Sequence, residues 1–453
     1  MSVRVLVPTG ALGLAYDADA LERGLAEKPD IIVVDGGSTD SGPHYLGTGT
    51  SKYARRSIKA EWAALMEARE RAGVPLVIGS AGTCGADSAV DWMFDITREI
   101  AAETGARVRV AVLHSGQDAV ELEHARQAGR IMPLDPAPPL GPDTFDECTN
   151  IVALAGAEQI QAALATGADI VIAGRTTDTA SIAALPLARG CHQGAAWHGA
   201  KIAECGAFCT DDPGSGVVMV EFDNEGFTVT PMGERTRATP RTVSAHMLYE
   251  NADPFVLLEP GGHLDVTDAR YQALNDHSVR VTGSRWVPGD RYTVKLEGAR
   301  RVGFQTVSLV LVRHSRYVDL IAEWSADVEA RCRRRAVERL GLSSEDFSLE
   351  LRLIGANATL GDLEMRKAAG PEIGVLGIVT ARSQTLATEI AKLLNPLLLH
   401  HPLPGDEADP TFAFPFSPPE MERGATYEFC LNHVLVLNGH MDAFRLKVLE
   451  ISR

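Results

Sequence analysis

The loop that follows an apolar run near the N-terminus carries two closely spaced carboxylates. The run Ile31–Val34 is typical of a buried strand, and Asp35 and Asp40 come directly after it among several glycines. The hydroxyl and imidazole side chains of the same loop are Ser38, Thr39, Ser41 and His44. Two carboxylates held together can divide acid and base roles or attract a cation. A tight turn held by Asx hydrogen bonds is the structural alternative.

Two further glycine-containing loops carry groups that suit anion binding. Glycines in Gly79–Asp87 let a ligand approach backbone N–H groups. Gly174–Asp178 contains Arg175, whose planar guanidinium matches a carboxylate or phosphate. The catalytic candidates are Asp35, Asp40, His44, Asp178 and His246. The substrate-binding candidates are Ser38, Thr39, Lys52, Ser80, Gly82, Thr83, Cys84, Gly85, Arg175, Thr176 and Tyr249.

These loops recur at the same place in a repeating pattern of strands and helices. The predicted strands begin at Val3 and continue with Ile31–Val34, Val74–Ile78, Val108–Leu113 and Ile170–Ala173. Strands that alternate with helices predict a parallel sheet, whose ligands bind outside the carboxyl ends of the strands. We therefore expect an α/β protein whose N-terminal domain, residues 1–300, has a Rossmann-like, mostly parallel sheet. The rim loops also contain Thr9, His114, Ser115 and Thr177.

Residues from about 190 to 300 are expected to form a β-rich insertion in this domain. Gly216–Thr230 is typical of a β-hairpin around a short acidic turn. If the stretch from His246 to Glu250 is helical, His246, Tyr249 and Glu250 share one face. They would then either line the cleft from a second segment or brace the loop.

Residues 301–453 predict a second domain. A strand over Phe304–Val312, a helix over Tyr317–Leu340 and the elements that follow give the order β-α-β-β-α-β, which is typical of a ferredoxin-like domain. Prolines are frequent between Leu399 and Gly424. They predict an extended arm that can reach a neighbouring subunit.

Composition limits the classes of partner. A chain of 453 residues predicts two or three domains, and its net charge of −17 argues against nucleic acid or an anionic membrane as the main partner. Seven cysteines without a CxxC pair support neither a zinc ribbon nor a thioredoxin motif. Cys205 and Cys209 with His192 and His198 are either a metal-binding set or, as we favour, buried thiols and loop imidazoles.

The same features predict a cytoplasmic protein. Its cysteine usage fits a reducing compartment, and no apolar run reaches the roughly 18 residues of a membrane helix. The first residues enter a strand pattern directly, so we expect no signal peptide. Neither a dinucleotide-binding fingerprint nor a P-loop occurs. The sequence requires no cofactor, although a divalent metal is compatible with the clustered carboxylates.

Several motifs together resemble the acyclic terpene utilisation (AtuA) family. They are DGGSTDSGP from Asp35, GSAGTCG from Gly79, GRTTDTAS from Gly174, LEPGGHLDV from Leu258 and YTVKLEG from Tyr292. The resemblance extends to about Ser315, and the remainder is similar to the ferredoxin-fold piece that accompanies this family. The family is named for genes that break down acyclic terpenes and branched acids through CoA thioesters. The resemblance therefore implies a catabolic setting rather than a particular reaction.

Three hypotheses remain at this point. The first is a lyase or hydratase acting on a small carboxylic acid or its CoA thioester. Asp35 or Asp40 would be the base, His44 or His246 the acid, and Arg175 with the Ser80–Gly85 amides would hold the anion. The second is a hydrolase using Ser80, Cys84 or a metal-held water. The third is a non-catalytic binding or assembly subunit. We expect a homo-oligomer in each case.

Overall fold

A computed structural model describes residues 2–366, 369–403 and 412–452 of the chain. The chain forms two compact units, one that runs to Arg300 and resumes at Phe429, and one that covers Arg301–Glu428. The protein is of the α/β class, as the sequence predicts, and its sheets are mixed. In the described part of the chain, no helix combines the length and the apolar character needed to cross a membrane.

The elements of the first unit follow the predicted alternation of strand and helix over its first half. In order they are β1 (Val3–Val7), α1 (Ala18–Ala26), β2 (Ile31–Asp35), α2 (His44–Thr48), α3 (Arg55–Ala72), β3 (Leu76–Gly79), α4 (Asp87–Thr104), β4 (Val108–His114), α5 (Ala119–Gln127), β5 (Ile131–Pro133), β6 (Cys148–Ala153), α6 (Ala157–Leu164), β7 (Ile170–Ala173), α7 (Ala180–Ala188) and α8 (Gln193–Ala203).

The rest of the first unit is mostly strand. Its elements are β8 (Val218–Phe222), β9 (Gly226–Pro231), α9 (Pro240–His246), β10 (Val256–Glu259), β11 (Gly262–Asp265), β12 (Arg270–Ala273), β13 (Val279–Thr282), β14 (Arg285–Pro288) and β15 (Thr293–Val312), which continues into the second unit.

The remaining elements complete both units. The second unit adds α10 (Ser315–Asp319), α11 (Ile321–Leu340), β16 (Phe347–Ile354), β17 (Ile373–Ala381), α12 (Gln384–His400), β18 (Phe412–Ala413) and β19 (Glu420–Phe429). The chain then returns to the first unit with β20 (His433–Val436) and β21 (Arg445–Ile451).

The main sheet of the first unit is parallel only at its centre. Its order is β12-β13-β9-β8-β1-β2-β3-β7-β4-β21, in which β1, β2, β3, β7 and β4 run parallel. The prediction of a mostly parallel sheet was therefore too simple, because antiparallel strands extend it on both sides. The β-hairpin is confirmed as β8 and β9, but it extends this sheet instead of forming a separate insertion.

The apolar strands at the centre are buried on both faces. Alternate residues of β2 belong to two cores, with Ile31 and Val33 on one side and Ile32 and Val34 on the other. Helices α1, α3 and α4 cover one face, and α6, α7 and α8 cover the other. Because helices cover both faces of the sheet, nearly every residue of these strands is buried, and each strand is an almost continuous apolar run in the sequence. This coverage also directs their polar loops to the ends of the sheet.

The second unit is an antiparallel sheet with helices. Strand β17 lies between β16 and β15, and β18 and β19 also pair with β15. Alternate residues of β17 are buried, which is typical of a sheet covered on one face. Its core contains residues of α11 and α12, among them Trp324 and Leu394.

Two predictions about the C-terminal part differ from the structure. Residues 301–453 were expected in one domain, but β21 pairs antiparallel with β4, so the chain from Phe429 onward belongs to the first unit. The predicted proline-rich arm, Leu399–Gly424, includes the end of α12, β18 and the start of β19. Residues 404–411 of that arm lie outside the described residues.

Candidate functional site

A cavity of about 550 Å³ opens at the carboxyl ends of the central strands. It is lined by the loops after β1, β2, β3 and β7, by the segment after α8 and by the segment after α9. Seven of the predicted site residues line it: Asp35, Ser38, Asp40, Lys52, Thr83, Asp178 and Tyr249. A cleft at this end of a sheet is where the α/β topology predicts a ligand site.

Unusual backbone conformations concentrate at this cavity. Among the described non-glycine residues, those with positive φ are Ala15, Lys28, Ser80, Thr83 and Glu250. Three of them line the cavity, and Ser80 lies directly behind it. Such conformations cost free energy and cluster at sites where the surrounding fold enforces them. Their location supports a functional role for the cavity.

Asp35 is a carboxyl group strongly perturbed by its surroundings. It is the last residue of β2, and its Oδ1 is buried without a hydrogen-bond partner among the described residues. Burial raises its pKa well above the usual value, and the neighbouring charge of Asp178 raises it further. Asp35 therefore retains its proton at a pH where an ordinary aspartate has lost it.

Two further carboxylates line the cavity: Glu250, which was expected either to line the cleft or to brace its loop, and Glu204, which was not predicted. Glu204 follows α8, and burial raises its pKa to about 8 although an ion pair with Lys201 opposes that shift. Burial likewise raises the pKa of Glu250, with a further contribution from Asp40. Lys52 is the only cationic side chain among the described lining residues, and its Nζ donates to Ser41 Oγ at 2.8 Å. The lining is therefore strongly acidic.

Arg175 does not serve as an open anion fork in this structure. It is 5% exposed, and its Nε donates to Glu297 Oε2 at 3.0 Å. Its Nη1 donates to Ser80 Oγ at 3.0 Å and to Asp178 Oδ1 at 3.1 Å. Burial acts to raise the pKa of Glu297, but the charges of Arg175 and Lys295, together with hydrogen bonds from Arg175 and Thr39, outweigh it and lower that pKa. The guanidinium is thus occupied by internal partners behind the cavity.

The loop after β3 is also internally bonded. The backbone N–H groups of Ser80, Ala81, Cys84 and Gly85 donate to carbonyl oxygens at 3.0–3.2 Å. They are therefore not free to hold a substrate anion, contrary to the prediction. Gly85, at φ +62°, packs closely against the chain at Arg175. An added Cβ at Gly85 would lie 2.1 Å from the backbone nitrogen of Arg175. These four amides therefore shape the loop around Arg175, and Thr83 is the residue of this loop that lines the cavity.

The other predicted binding residues near Arg175 belong to the same buried network. Thr39 Oγ1 donates to Glu297 Oε2 at 3.0 Å, and Thr176 Oγ1 lies 3.4 Å from Ser80 Oγ. Gly82, at φ +64°, would bring an added Cβ within 2.8 Å of Ala89. Cys84 is fully buried, and burial raises the pKa of its thiol. These side chains hold the wall of the cavity together.

The predicted histidines are not in a position to act as the acid. His44 is exposed and lies outside the described lining of the cavity. His246 is the last residue of α9, so Tyr249 and Glu250 follow in a turn and not on the same helix. Burial lowers the pKa of His246 to about 4. Its ring stacks on that of Tyr249, with 5.6 Å between centroids, just behind the lining.

Three of the four other Cys and His residues have structural surroundings. His198 is buried, with Ser284 Oγ 2.8 Å from Nδ1 and the Tyr271 hydroxyl 3.1 Å from Nε2. His192 caps α8, where its Nδ1 accepts from Ala195 N at 3.2 Å. Cys209 is a buried thiol. Cys205 instead forms a group of metal-ligating side chains with Glu204 and His246.

Sequence reasoning missed two acidic residues contributed by the second half of the unit, Glu204 and Glu297. Lys201 and Glu204 are buried, and they belong to the last turn of α8 and the residue that follows it. A charged pair within a stretch rich in alanine and glycine could have indicated a buried ion pair. Glu297 stands in the YTVKLEG motif, but nothing in its local sequence pointed to Arg175, 122 positions away.

Comparison with known proteins gives one match. The model of a family described as "Acyclic terpene utilisation family protein AtuA" matches residues 42–414, which is well over half of the chain. No curated protein and no solved structure matches. The matched segment contains Asp178, Glu204 and Glu250, whereas Asp35 precedes it.

Proposed function

The chain belongs to the acyclic terpene utilisation family AtuA, and from this premise we propose that it is a lyase or hydratase acting on the CoA thioester of a branched or terpenoid acid. Family membership implies a role in acyclic terpene utilisation. The reaction class is our inference from the cavity. The observation that carries it is Asp35, a carboxyl group that keeps its proton beside the ionisable group of Asp178 in a confined space.

Two carboxyl groups in different environments suit proton transfer next to a carbonyl. The ion-paired carboxylate of Asp178 would remove the proton from the α carbon of a 3-hydroxyacyl thioester. Asp35 would donate its proton to the β hydroxyl, which leaves as water and yields the 2,3-unsaturated thioester. Hydration is the same sequence in reverse. Asp35 thus takes the acid role that was predicted for a histidine.

The character of the lining favours a thioester over a free di- or tricarboxylate. A substrate with several carboxylates would face the acidic groups of Asp40, Glu204 and Glu250. Leu14 and Phe208 also line the cavity and are exposed, which suits a branched hydrocarbon chain. A hydrolase that uses Ser80 or Cys84 as its nucleophile is a weaker alternative, since Ser80 is bonded to Arg175 and Cys84 is fully buried.

We also propose that the second unit is a ferredoxin-like domain. Its chain order β15-α11-β16-β17-α12-β19 and the central positions of β15 and β17 support this assignment. The parallel centre of the first unit supports a Rossmann-like description in the same way. A solved structure of the protein would test both assignments.

Proton exchange provides a test that does not require the natural substrate. The protein is incubated in D₂O with saturated, 3-hydroxy and 2,3-unsaturated CoA thioesters of branched acids, and the products are analysed by mass spectrometry. We expect deuterium at the α carbon and interconversion of the hydroxy and unsaturated forms. Release of free CoA with ¹⁸O from water in the acid would indicate a hydrolase. Binding without either change would indicate a non-catalytic subunit.

A further inference from the structure

We propose that Glu204, Cys205 and His246 form a zinc-binding site at the inner end of the cavity. Each contributes one ligand atom: a carboxylate oxygen, a thiol sulfur and a ring nitrogen. These atoms all lie within 4.8 Å of one another. This proposal is independent of the proposed reaction, because metal binding can be measured without any substrate.

Two separate segments bring the three ligands together. Glu204 and Cys205 directly follow α8, and His246 ends α9. Tetrahedral zinc with bonds of about 2.0–2.3 Å separates its ligand atoms by roughly 3.3–3.8 Å. The side chains therefore need to close by at most about 1.5 Å. That is a movement within the range of side-chain rotation, without rearrangement of either helix.

His246 supplies the observation that ordinary packing does not explain. It is 5% exposed, yet its Nε2 has no hydrogen-bond partner among the described residues. The ring is held by stacking on Tyr249 and by a hydrogen bond with the Lys201 backbone. A buried polar atom without a partner costs free energy. In metal sites, a ligating histidine is held by a hydrogen bond from one ring nitrogen to the protein, and its other ring nitrogen binds the metal. His246 matches this arrangement, with Nε2 as the nitrogen that would bind the metal.

The donor set selects the class of metal. Thiolate and imidazole are ligands that zinc prefers, whereas magnesium and calcium prefer sites built from oxygen alone. Three protein ligands leave a fourth position for water or substrate, as in catalytic zinc sites. Glu204 and Cys205 line the cavity, so that fourth position would face it.

The charge of the surroundings supports the same conclusion. Carboxyl groups outnumber cations here, because Lys52 is the only cationic side chain among the described lining residues. Lys201 is buried and forms an ion pair with Glu204, which compensates one carboxylate. A divalent cation would offset the remaining excess. The acidic surroundings alone would not define a site, but they favour a cation at the atoms that His246 and Cys205 already indicate.

Cobalt titration tests the site directly. The full-length protein is treated with a chelator, dialysed and titrated with Co²⁺, whose thiolate complexes absorb through sulfur-to-metal charge transfer. We expect one ion per chain with this absorption, and displacement of Co²⁺ by Zn²⁺. Cys205→Ser should remove the charge-transfer band, and His246→Ala should weaken Co²⁺ binding by at least about 100-fold.

A neighbouring thiol provides the matched control. Cys209 lies four residues further on, is buried and contacts the Gly206 carbonyl oxygen at 3.7 Å, outside the ligand group. Cys209→Ser should keep both the band and the stoichiometry. A band that survives Cys205→Ser, or that disappears equally in Cys209→Ser, would overturn the site. The absence of stoichiometric binding in the folded wild type would do the same.

Two further variants keep the proposal testable if Cys205→Ser or His246→Ala fails to fold. Glu204→Gln and His246→Gln alter the other two ligands with little change in volume, and circular dichroism reports whether each variant folds. Both folded variants should bind Co²⁺ more weakly than the wild type; unchanged affinity in both would contradict the site. Asp35→Asn should retain the metal while losing turnover, which separates failure of this proposal from failure of the proposed reaction.

Discussion

Two neighbouring groups of charges in the first unit use the same residue types in opposite ways. Behind the cavity, Arg175 is bonded to Glu297, Asp178 and Ser80, so its charge and hydrogen-bonding capacity are satisfied internally. Inside the cavity, Asp35 has an oxygen without a hydrogen-bond partner in the part of the chain that the structure describes, and Glu204 and Glu250 have raised pKa values. We call Arg175, Glu297 and Ser80 the satisfied network, and the carboxyl groups that line the cavity the unsatisfied lining. Asp178 belongs to the lining, because its carboxylate faces the cavity as well as Arg175.

This difference separates residues that stabilise the fold from residues that we expect to take part in the reaction. A buried charge with all its partners is inert, since any reaction would break several hydrogen bonds at once. A carboxyl group that lacks partners exchanges protons or accepts a cation at lower cost. We therefore expect variants of the satisfied network to lose stability, and variants of the unsatisfied lining to lose activity while the fold persists.

The largest effect is expected at Asp35. Asp35→Asn removes the proposed acid, so turnover of a CoA thioester should fall by about 10²–10⁴-fold. The melting temperature should stay the same or rise, because the variant removes a buried carboxyl group whose neighbours include Asp178. Steady-state kinetics and thermal unfolding measure the two quantities on the same sample.

Asp118 offers a control for this variant. Its side chain caps α5 by accepting from Val120 N and Glu121 N, and it lies outside the described lining. Asparagine caps a helix about as well as aspartate, so Asp118→Asn should change neither quantity. Turnover by Asp35→Asn within about tenfold of the wild type would remove Asp35 from the mechanism.

The satisfied network should respond to Glu297→Gln with a loss of stability. The variant leaves the buried Arg175 guanidinium with one carboxylate fewer, and breaking a buried ion pair costs about 3–5 kcal/mol. Urea denaturation should show this loss. The more exposed pair of Arg280 and Asp223 is the control, and Asp223→Asn should cost about 1 kcal/mol or less. Equal losses in both variants would contradict the distinction.

Glu259 should make the stability depend on pH. Burial raises its pKa to about 7, above the 4.5 of an unfolded chain. Below pH 4.5 both states are protonated. As the pH rises from 4.5 to 7, only the unfolded state releases the proton, so folding stability falls. A pKa of about 7 in place of 4.5 corresponds to a loss of about 3 kcal/mol in folding stability across this pH range.

The variant Glu259→Gln isolates this contribution. Its stability relative to the wild type should increase between pH 4.5 and 7 and stay constant above that range. Asp223→Asn should show no such trend in the same range, because hydrogen bonds from Arg280 lower the pKa of Asp223 to about 2. A parallel pH profile for Glu259→Gln and the wild type would show that Glu259 ionises normally.

The sequence predicted the part of the fold that depends on local pattern. Ile170–Ala173 has the predicted bounds, because Gly174 and the polar loop after it end the apolar run sharply. The loops after β1, β2, β3 and β7 do meet at one end of the sheet. Parallel strands force their carboxyl ends together, so residue types in the loops were enough to locate the cavity.

The rest depends on partners that are far apart in the chain. Arg175 was predicted to bind a substrate anion, but in addition to Asp178, three residues further on, it pairs with Glu297, which comes from β15. Strand β21 pairs with β4 over more than 300 intervening residues, which no local pattern encodes. Glu204 was missed because α8 is buried almost all round and lacks the periodicity of a surface helix.

The smallest effect is expected at Lys52, the one cationic side chain of the described lining. Its Nζ donates to Ser41 Oγ and lies 5.5 Å from the ring centre of Tyr53. In an acidic cavity this charge should help to bind the anionic part of a CoA thioester without taking part in proton transfer. Lys52→Gln should therefore raise KM by about two- to tenfold and leave kcat unchanged, which corresponds to roughly 1 kcal/mol or less of binding free energy.

A lysine outside the cavity provides the comparison for this last prediction. Lys59, on α3, pairs with Glu99 and Glu103, so Lys59→Gln removes the same charge away from the lining. Its KM should match that of the wild type, and the effect of Lys52→Gln should shrink at high salt because the interaction is electrostatic. A fall in kcat for Lys52→Gln would instead place this side chain among the groups that act on the reacting atoms. The unsatisfied lining would then include a cation as well as its carboxyl groups.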